Sequence, residues 1–351
     1  MAAEATRSSL GSAGPLRIEF GGGTSPDVGA GNDFLVAMPV DLFGKTRAAK
    51  SSGEAAVMAA KAALKQAQLD VQADVVNAFA DAQSAQTLLE TGRSIEEIDQ
   101  IAYDATKKRI DAGDLPPAQL LRADLELQRA KQALELRSQS LAASKIRLAS
   151  TMGVAASDIR ELETKLPDPP APPRLEERAD LAQMRSDAAS AAADARIASA
   201  SRWPDLEVQF ARSPFDSPEQ YNARIQVVLP LYDFGASREK IRAAHLSRQA
   251  ADRSIADRLR TARSEIEATK LELESSKAAS LGYERLTNDG KTLVQKEQRG
   301  FAAGASSLLD VLEATRALRD IEESAADART KWIQAEGRYL SAIGALLVRP
   351  S

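Results

Sequence analysis

Asp310 and Glu313 are three residues apart in Leu308-Leu-Asp-Val-Leu-Glu-Ala-Thr315, so a helix presents both carboxylates on one face. Acids so placed complement the positive end of a helix, and both lie within two turns of Ser306 in the break Gly304-Ala-Ser-Ser307. Other reactive chemistry is sparse. The chain has no cysteine and a single histidine, His245, which excludes Cys/His zinc sites and cysteine nucleophiles. His245 sits in a continuous helical pattern from Ile241 to Leu259, where an exposed helix histidine is a simpler reading than a member of a Ser-His-Asp triad. No nucleophile–base pair and no metal constellation can be assembled. The expectation is a protein that is not an enzyme and needs no cofactor.

The elements that would carry these residues are long and repetitive. Among 351 residues aromatics make up 4% and charged residues 27% with both signs mixed, the bias of long packed helices rather than of a thick aromatic core. A net charge of −4 gives no electrostatic case for nucleic acid. No run of 18 or more apolar residues occurs, so no transmembrane helix is expected, and Met1-Ala-Ala-Glu-Ala-Thr-Arg7 has no apolar core of a signal peptide.

The chain repeats itself. Pro39-Val-Asp-Leu-Phe-Gly44 returns as Pro230-Leu-Tyr-Asp-Phe-Gly235, and Gly44 and Gly235, Gly113 and Gly304, and Gly153 and Gly344 are each 191 residues apart. A duplication without length drift implies packing that counts residues, as paired helices do. Between Gly44 and Gly113, and again between Gly235 and Gly304, 68 residues run without a proline. At the helical rise each stretch is roughly 100 Å long, too long to bury itself and in need of partners along its length. Glycine is the usual stop. The restarts use Gly113-Asp-Leu-Pro-Pro117 and Gly304-Ala-Ser-Ser307, with proline or serine as starter.

These signals predict a mainly α protein with a small β part, built as two tandem repeats. Repeat 1 covers 1–165, with a partial first helix, strands near 15–21 and 33–41, and a helical hairpin over 45–153 whose tip is near 113–117. A proline-rich linker covers 166–174. Repeat 2 covers 175–351, with a helix over 175–201, strands near 205–212 and 221–231, and a hairpin over 236–347 whose tip is near 304–307. Ala2-Ala-Glu-Ala5 matches Ala192-Ala-Asp-Ala195, so residues 1–13 are expected to be the tail of a helix and the chain to be N-terminally truncated.

The strands alternate. Tyr221, Ala223, Ile225, Val227 and Leu229 share one face, and Asn222, Arg224 and Gln226 the other. Four such strands are too few to close a barrel but are long enough to cross a membrane when tilted. The apolar set is then lipid-facing, and three chains supply twelve strands. Trp203, Tyr221, Tyr232, Phe234, Phe34 and Phe43 fall near strand ends, as an aromatic girdle does.

The two PxxxFG joints, the tip glycines, and above all Gly304-Ala-Ser-Ser-Leu-Leu-Asp-Val-Leu-Glu-Ala-Thr315 resemble the TolC-like outer-membrane efflux family over nearly the whole chain. The resemblance implies a homotrimer with a 12-strand barrel in the outer membrane and an α-helical tunnel in the periplasm. It implies a passive, gated duct of a tripartite efflux or type I secretion system, docked to a periplasmic adaptor and through it to an inner-membrane pump. Asp310 and Glu313 would be the cation ring of the pore constriction, since rings of carboxylates favour cations. Gly113, Leu115, Gly304, Ser306 and Leu308 would be the adaptor-docking tips. The alternatives are a soluble coiled-coil scaffold, which has no use for duplicated lipid-ready strands, and a periplasmic adaptor, which normally shows one hairpin between β-rich modules. Leu16-Arg-Ile-Glu-Phe20 followed by glycines faintly resembles the heavy-metal efflux subgroup, and the exported substrate is otherwise not legible.

Overall fold

The computed structural model describes residues 16–25, 29–159, 162, 175–213, 220–228 and 235–347. The elements are β1 (Arg17–Ser25), β2 (Gly29–Val40), α1 (Lys45–Asp111), α2 (Ala118–Met152), α3 (Ala179–Ala200), β3 (Asp205–Ser213), β4 (Gln220–Val228), α4 (Ala236–Ala302) and α5 (Leu308–Ile343). The chain forms two compact units, and they do not coincide with the repeats. Unit 1 is Met1–Gln66 with Arg174–Thr261, and unit 2 is Ala67–Pro173 with Ala262–Ser351. Each unit therefore combines matching parts of both repeats, and the two 67-residue helices α1 and α4 contribute to both.

Unit 1 contains a four-stranded antiparallel sheet in the order β1-β2-β3-β4. The glycine-rich segment between the two expected strands is part of the ladder. Gly21 pairs with Asp33, Gly22 with Asn32 and Gly23 with Gly31, so β1 runs on to Ser25 and β2 begins at Gly29. Ladder bonds use the backbone alone, so glycine weakens a strand without forbidding it. β4 is described to Val228, and Leu229 through Leu231 of the expected strand lie outside the described residues.

Helix α1 starts on a cap that the sequence pattern did not reveal. Asp41 accepts hydrogen bonds from the backbone N–H of Lys45 (2.9 Å) and Thr46 (2.8 Å). Its slight desolvation raises the carboxyl pKa, but the Thr46 and Lys45 N–H groups outweigh that and hold it below the usual value. In the same unit Asp180 receives Arg178 (2.8 Å) and Arg258 (2.7 Å), which ties α3 to α4.

Unit 2 has thin alanine-rich cores, with larger side chains only in small clusters. One joins Val294 and Leu318 to Ile95 and Ala130, and another joins Leu340, Ile343 and Ala345. Helices approach closely where side chains are absent. A Cβ added at Gly337 of α5 would stand 2.7 Å from Val76 Cγ1 of α1. No helix among the described residues is long and apolar enough to cross a membrane.

Candidate functional site

The sheet of unit 1 is two-faced, and the register shows how completely. Ile18 and Phe20 stand in line with Val36 and Phe34, these with Phe210 and Arg212, and these with Ala223 and Tyr221. Further along, Met38, Val208 and Ile225 are aligned, as are Val40, Leu206 and Val227. Apart from Arg212 at one end, this face is apolar. It is also open: Phe20 is 84% exposed, Ile225 67% and Tyr221 63%. Of the expected lipid-facing set, Tyr221, Ala223, Ile225 and Val227 are thus on one exposed face, and Leu229 lies outside the described residues.

The opposite face carries the charge. Arg17 bonds Glu19 (2.9 Å) and Glu207 (3.3 Å), and Gln209 receives Arg224 Nε (2.7 Å) while donating to Gln226 (2.5 Å). Gln209 is almost fully buried among these partners, so the polar side chains satisfy each other. A sheet with this division suits apolar surroundings on one side and water on the other. Among the described residues β1 and β4 are the two edges of the sheet, and every side chain from Tyr221 to Val228 is exposed.

Unit 2 carries the turns. α1 and α4 end at Gly113 (φ 84°) and Gly304 (φ 78°), both in the left-handed region that glycine adopts without strain. The N–H of Asp114 donates to the Arg109 carbonyl (2.8 Å) and that of Ala305 to the Gly300 carbonyl (2.8 Å), closing each helix in a Schellman-like manner. The restarts differ. Pro117 precedes α2 with no side-chain cap, whereas Ser307 and Asp310 form a capping box at α5. Ser307 Oγ accepts from the Asp310 N–H (3.2 Å), and Asp310 Oδ2 accepts from Ser307 N–H (2.8 Å) and Oγ–H (2.7 Å). The Ser307 hydroxyl and then its N–H hold the Asp310 carboxyl below its ordinary pKa, against a small opposing effect of burial.

Asp310 and Glu313 are both exposed, while their neighbours Val311, Leu312, Ala314 and Thr315 are buried. The acid pair thus shares the open face of α5. Of the expected tip residues, Leu308 is 3% exposed and packs with Phe301, Val311, Leu312, Ala102 and Ala123, because the first turn of α5 rolls its apolar stripe onto α1 and α4. Leu115 leans on the same cluster, and Ser306 is half-buried against Gly300. The exposed apolar residue at this turn is Leu309, at 50%.

Sequence reasoning missed a buried ionic cluster a few turns from these loops. Glu126 of α2 receives Arg129 (3.0 Å) and Arg316 of α5 (2.5 Å). Asp99 of α1, 2% exposed, faces Arg319 at 3.8 Å, and its Oδ2 accepts no hydrogen bond. Desolvation pushes its carboxyl up to about 6, opposed by Arg319 and Arg316 and reinforced by Glu126. Arginines spaced i, i+3 on a helix are a visible signal, but nothing local reveals that their acids are buried.

The sequence profile of the family described as "Outer membrane efflux protein" matches residues 4–154 and 174–345. This chain belongs to that family. The efflux-family chain is 25% identical over 316 residues to the cobalt-zinc-cadmium resistance protein CzcC of Cupriavidus metallidurans, covering 88% of this chain and 72% of that protein. Its fold is that of solved outer-membrane proteins. The outer membrane protein VceC of Vibrio cholerae superposes with a TM-score of 0.80 at 19% identity, over 98% of this chain and 90% of that one. CusC superposes with a TM-score of 0.81 at 16% identity, over 97% and 86%. Membership of a family described as outer-membrane efflux proteins makes this chain a protein of the outer membrane.

Proposed function

We propose that three copies of this chain close a 12-strand barrel and form the passive, gated outer-membrane duct of a tripartite efflux system. The observation that carries this reading is the sheet: one face apolar and exposed, the other polar and satisfied, and both edges open. A lone four-stranded sheet of this kind leaves hydrocarbon in water and ladder groups unpaired. Closure by symmetry removes the edges, and lipid covers the apolar face. In this reading Asp310 and Glu313, repeated three times, make the acidic ring that attracts cations at the constriction. The turns that carry Gly113, Leu115, Gly304, Ser306 and Leu308 meet a periplasmic adaptor linked to an inner-membrane pump, and Leu309 adds an exposed apolar side chain there.

The chain has no cysteine, which makes the test direct. Ile18→Cys on β1 is combined with single cysteines scanned over 221–228 on β4, and the outer-membrane fraction is oxidised. Covalent dimers and trimers at one register support closure by neighbouring copies. Monomers at every register, or a chain found only in the soluble fraction, refute it. Since one relative is named for cobalt, zinc and cadmium resistance, the substrate arm begins with tolerance to those three ions.

A further inference from the structure

A groove of about 280 Å³ in unit 1 lies where the strands give way to the helices. That is below the roughly 300–1,000 Å³ of drug-sized pockets and suits a headgroup. Its lining includes Arg196 and Arg202, His245 and Arg248 of α4, and the rings of Phe43 and Trp203, and it includes no acid. The rings stack with centroids 5.3 Å apart and 8° between planes. The β2–β3 ladder ends at Val40↔Leu206, and the ring pair lies three residues beyond it, where the sheet gives way to the helices. It is not core, because Trp203 is 47% exposed and Phe43 39%. Half-exposed aromatics in this position are what a membrane interface selects.

The charge around the rings is not spent on structure. Arg202 stands over the Trp203 ring at 5.4 Å, and neither Arg196 nor Arg202 meets a carboxylate among the described residues. Arg248 reaches Asp252 only at 3.8 Å with both side chains about half exposed, a contact of small value in water. In a chain of net charge −4, this is a local concentration of guanidinium groups, the side chain best shaped for phosphate.

We propose that this groove binds the phosphate headgroup of an anionic phospholipid, whose acyl chains lie along the apolar face that begins at Val40 and Leu206. The proposal rests on the reading that the sheet crosses the outer membrane. The arginines supply forked donors to the phosphate oxygens, the ring pair sits at the level of the glycerol, and the strands supply the apolar wall. Basic groups flanking a membrane segment favour anionic over zwitterionic lipid in this way.

Trp203 reports on its own site, since the chain has two tryptophans and Trp332→Phe leaves it alone. The assembled protein in micelles is titrated with short-chain phosphatidylglycerol, with phosphatidylcholine of the same chains, and with inorganic phosphate. Expected is a saturable Trp203 fluorescence change at about tenfold less phosphatidylglycerol than phosphatidylcholine, and no change with phosphate. Arg196→Gln with Arg248→Gln shifts the half-point about tenfold or more, while Arg196→Lys, which keeps charge and loses the fork, shifts it less. Equal response to both lipids, or an unshifted half-point in the double variant with unchanged circular dichroism, overturns the site. Saturation by inorganic phosphate makes it a free-anion site and overturns the lipid assignment. A chain that fractionates with the outer membrane yet ignores phosphatidylglycerol refutes only this proposal, whereas absence from the membrane refutes the reading beneath it.

Discussion

At Asp310 one carboxylate oxygen takes two bonds from Ser307, so the acid is part of the helix start as well as part of an exposed acidic pair. The two roles separate by mutation. Ser307→Ala removes the cap hydroxyl and should lower the stability of unit 2 by about 1 kcal/mol, measured by thermal unfolding, with cation block of the channel retained. Glu313→Gln has no cap to lose and should leave unfolding unchanged while weakening block by divalent cations in single-channel records. Because the Asp310 carboxyl lies below its ordinary value, it stays charged through neutral and mildly acidic pH. Its contribution to the cap is lost only as pH falls through that lowered value. Asp99 behaves in the opposite sense. Its folded carboxyl is raised from 3.8 to about 6, so the folded state binds the proton more tightly than the unfolded chain. Stability should therefore rise as pH falls from above 6 towards 4, and Asp99→Asn should flatten that rise. At pH 7.5 the same variant should be more stable by up to about 3 kcal/mol, the cost of ionising such a carboxyl in place. A pH–melting series on both proteins checks this, and identical slopes refute it. The spacing of Asp310 and Glu313 was legible in the sequence because the pair is local. The Asp99 and Glu126 cluster was not, because Glu126 meets Arg316 across 190 residues of chain.

Among the elements, alternation marked the strands because their two faces meet different surroundings, and it carried no signal where glycine gives no pattern, at Gly21 to Gly31. The helix stops were legible because a left-handed residue at a helix end favours glycine. Which face of the first turn of α5 is buried was not legible at Leu308 and Leu309, two consecutive leucines that the helix sets about 100° apart. Helix packing yields a paired prediction. An alanine normally stabilises a helix over glycine by about 1 kcal/mol. At Gly282 of α4 an added Cβ meets nothing within 4 Å, so Gly282→Ala should raise the melting temperature. At Gly337 the added Cβ falls 2.7 Å from a methyl of Val76, a buried β-branched side chain with little rotamer freedom. Gly337→Ala should therefore lower the melting temperature despite its better helix propensity. Calorimetry on the two variants decides, and a gain at Gly337 would show that α1 and α5 can separate without cost there.

For the whole molecule, the 191-residue duplication explains why the compact units cut across the repeats. Each repeat supplies two strands and a hairpin, and neither strand pair has a covered edge until it lies beside another. β2 and β3 satisfy this within the chain, and in the proposed trimer β1 and β4 are covered by neighbouring copies. If lipid covers one face of the assembled sheet and water the other, adjacent residues of a single strand should respond oppositely to the same charge. Ile225 lies on the apolar face and Gln226 beside it on the polar one. Ile225→Arg places a guanidinium against hydrocarbon, a cost of roughly 2–4 kcal/mol near the middle of a bilayer and incurred three times in a trimer. Gln226→Arg adds a charge where Arg224 and Glu207 already stand in water. The expected result is loss of detergent-resistant trimers from the outer membrane for Ile225→Arg and normal assembly for Gln226→Arg, scored on unboiled gels of membrane fractions. A soluble sheet with both faces in water predicts no such contrast, because an exposed isoleucine exchanged for arginine there costs almost nothing.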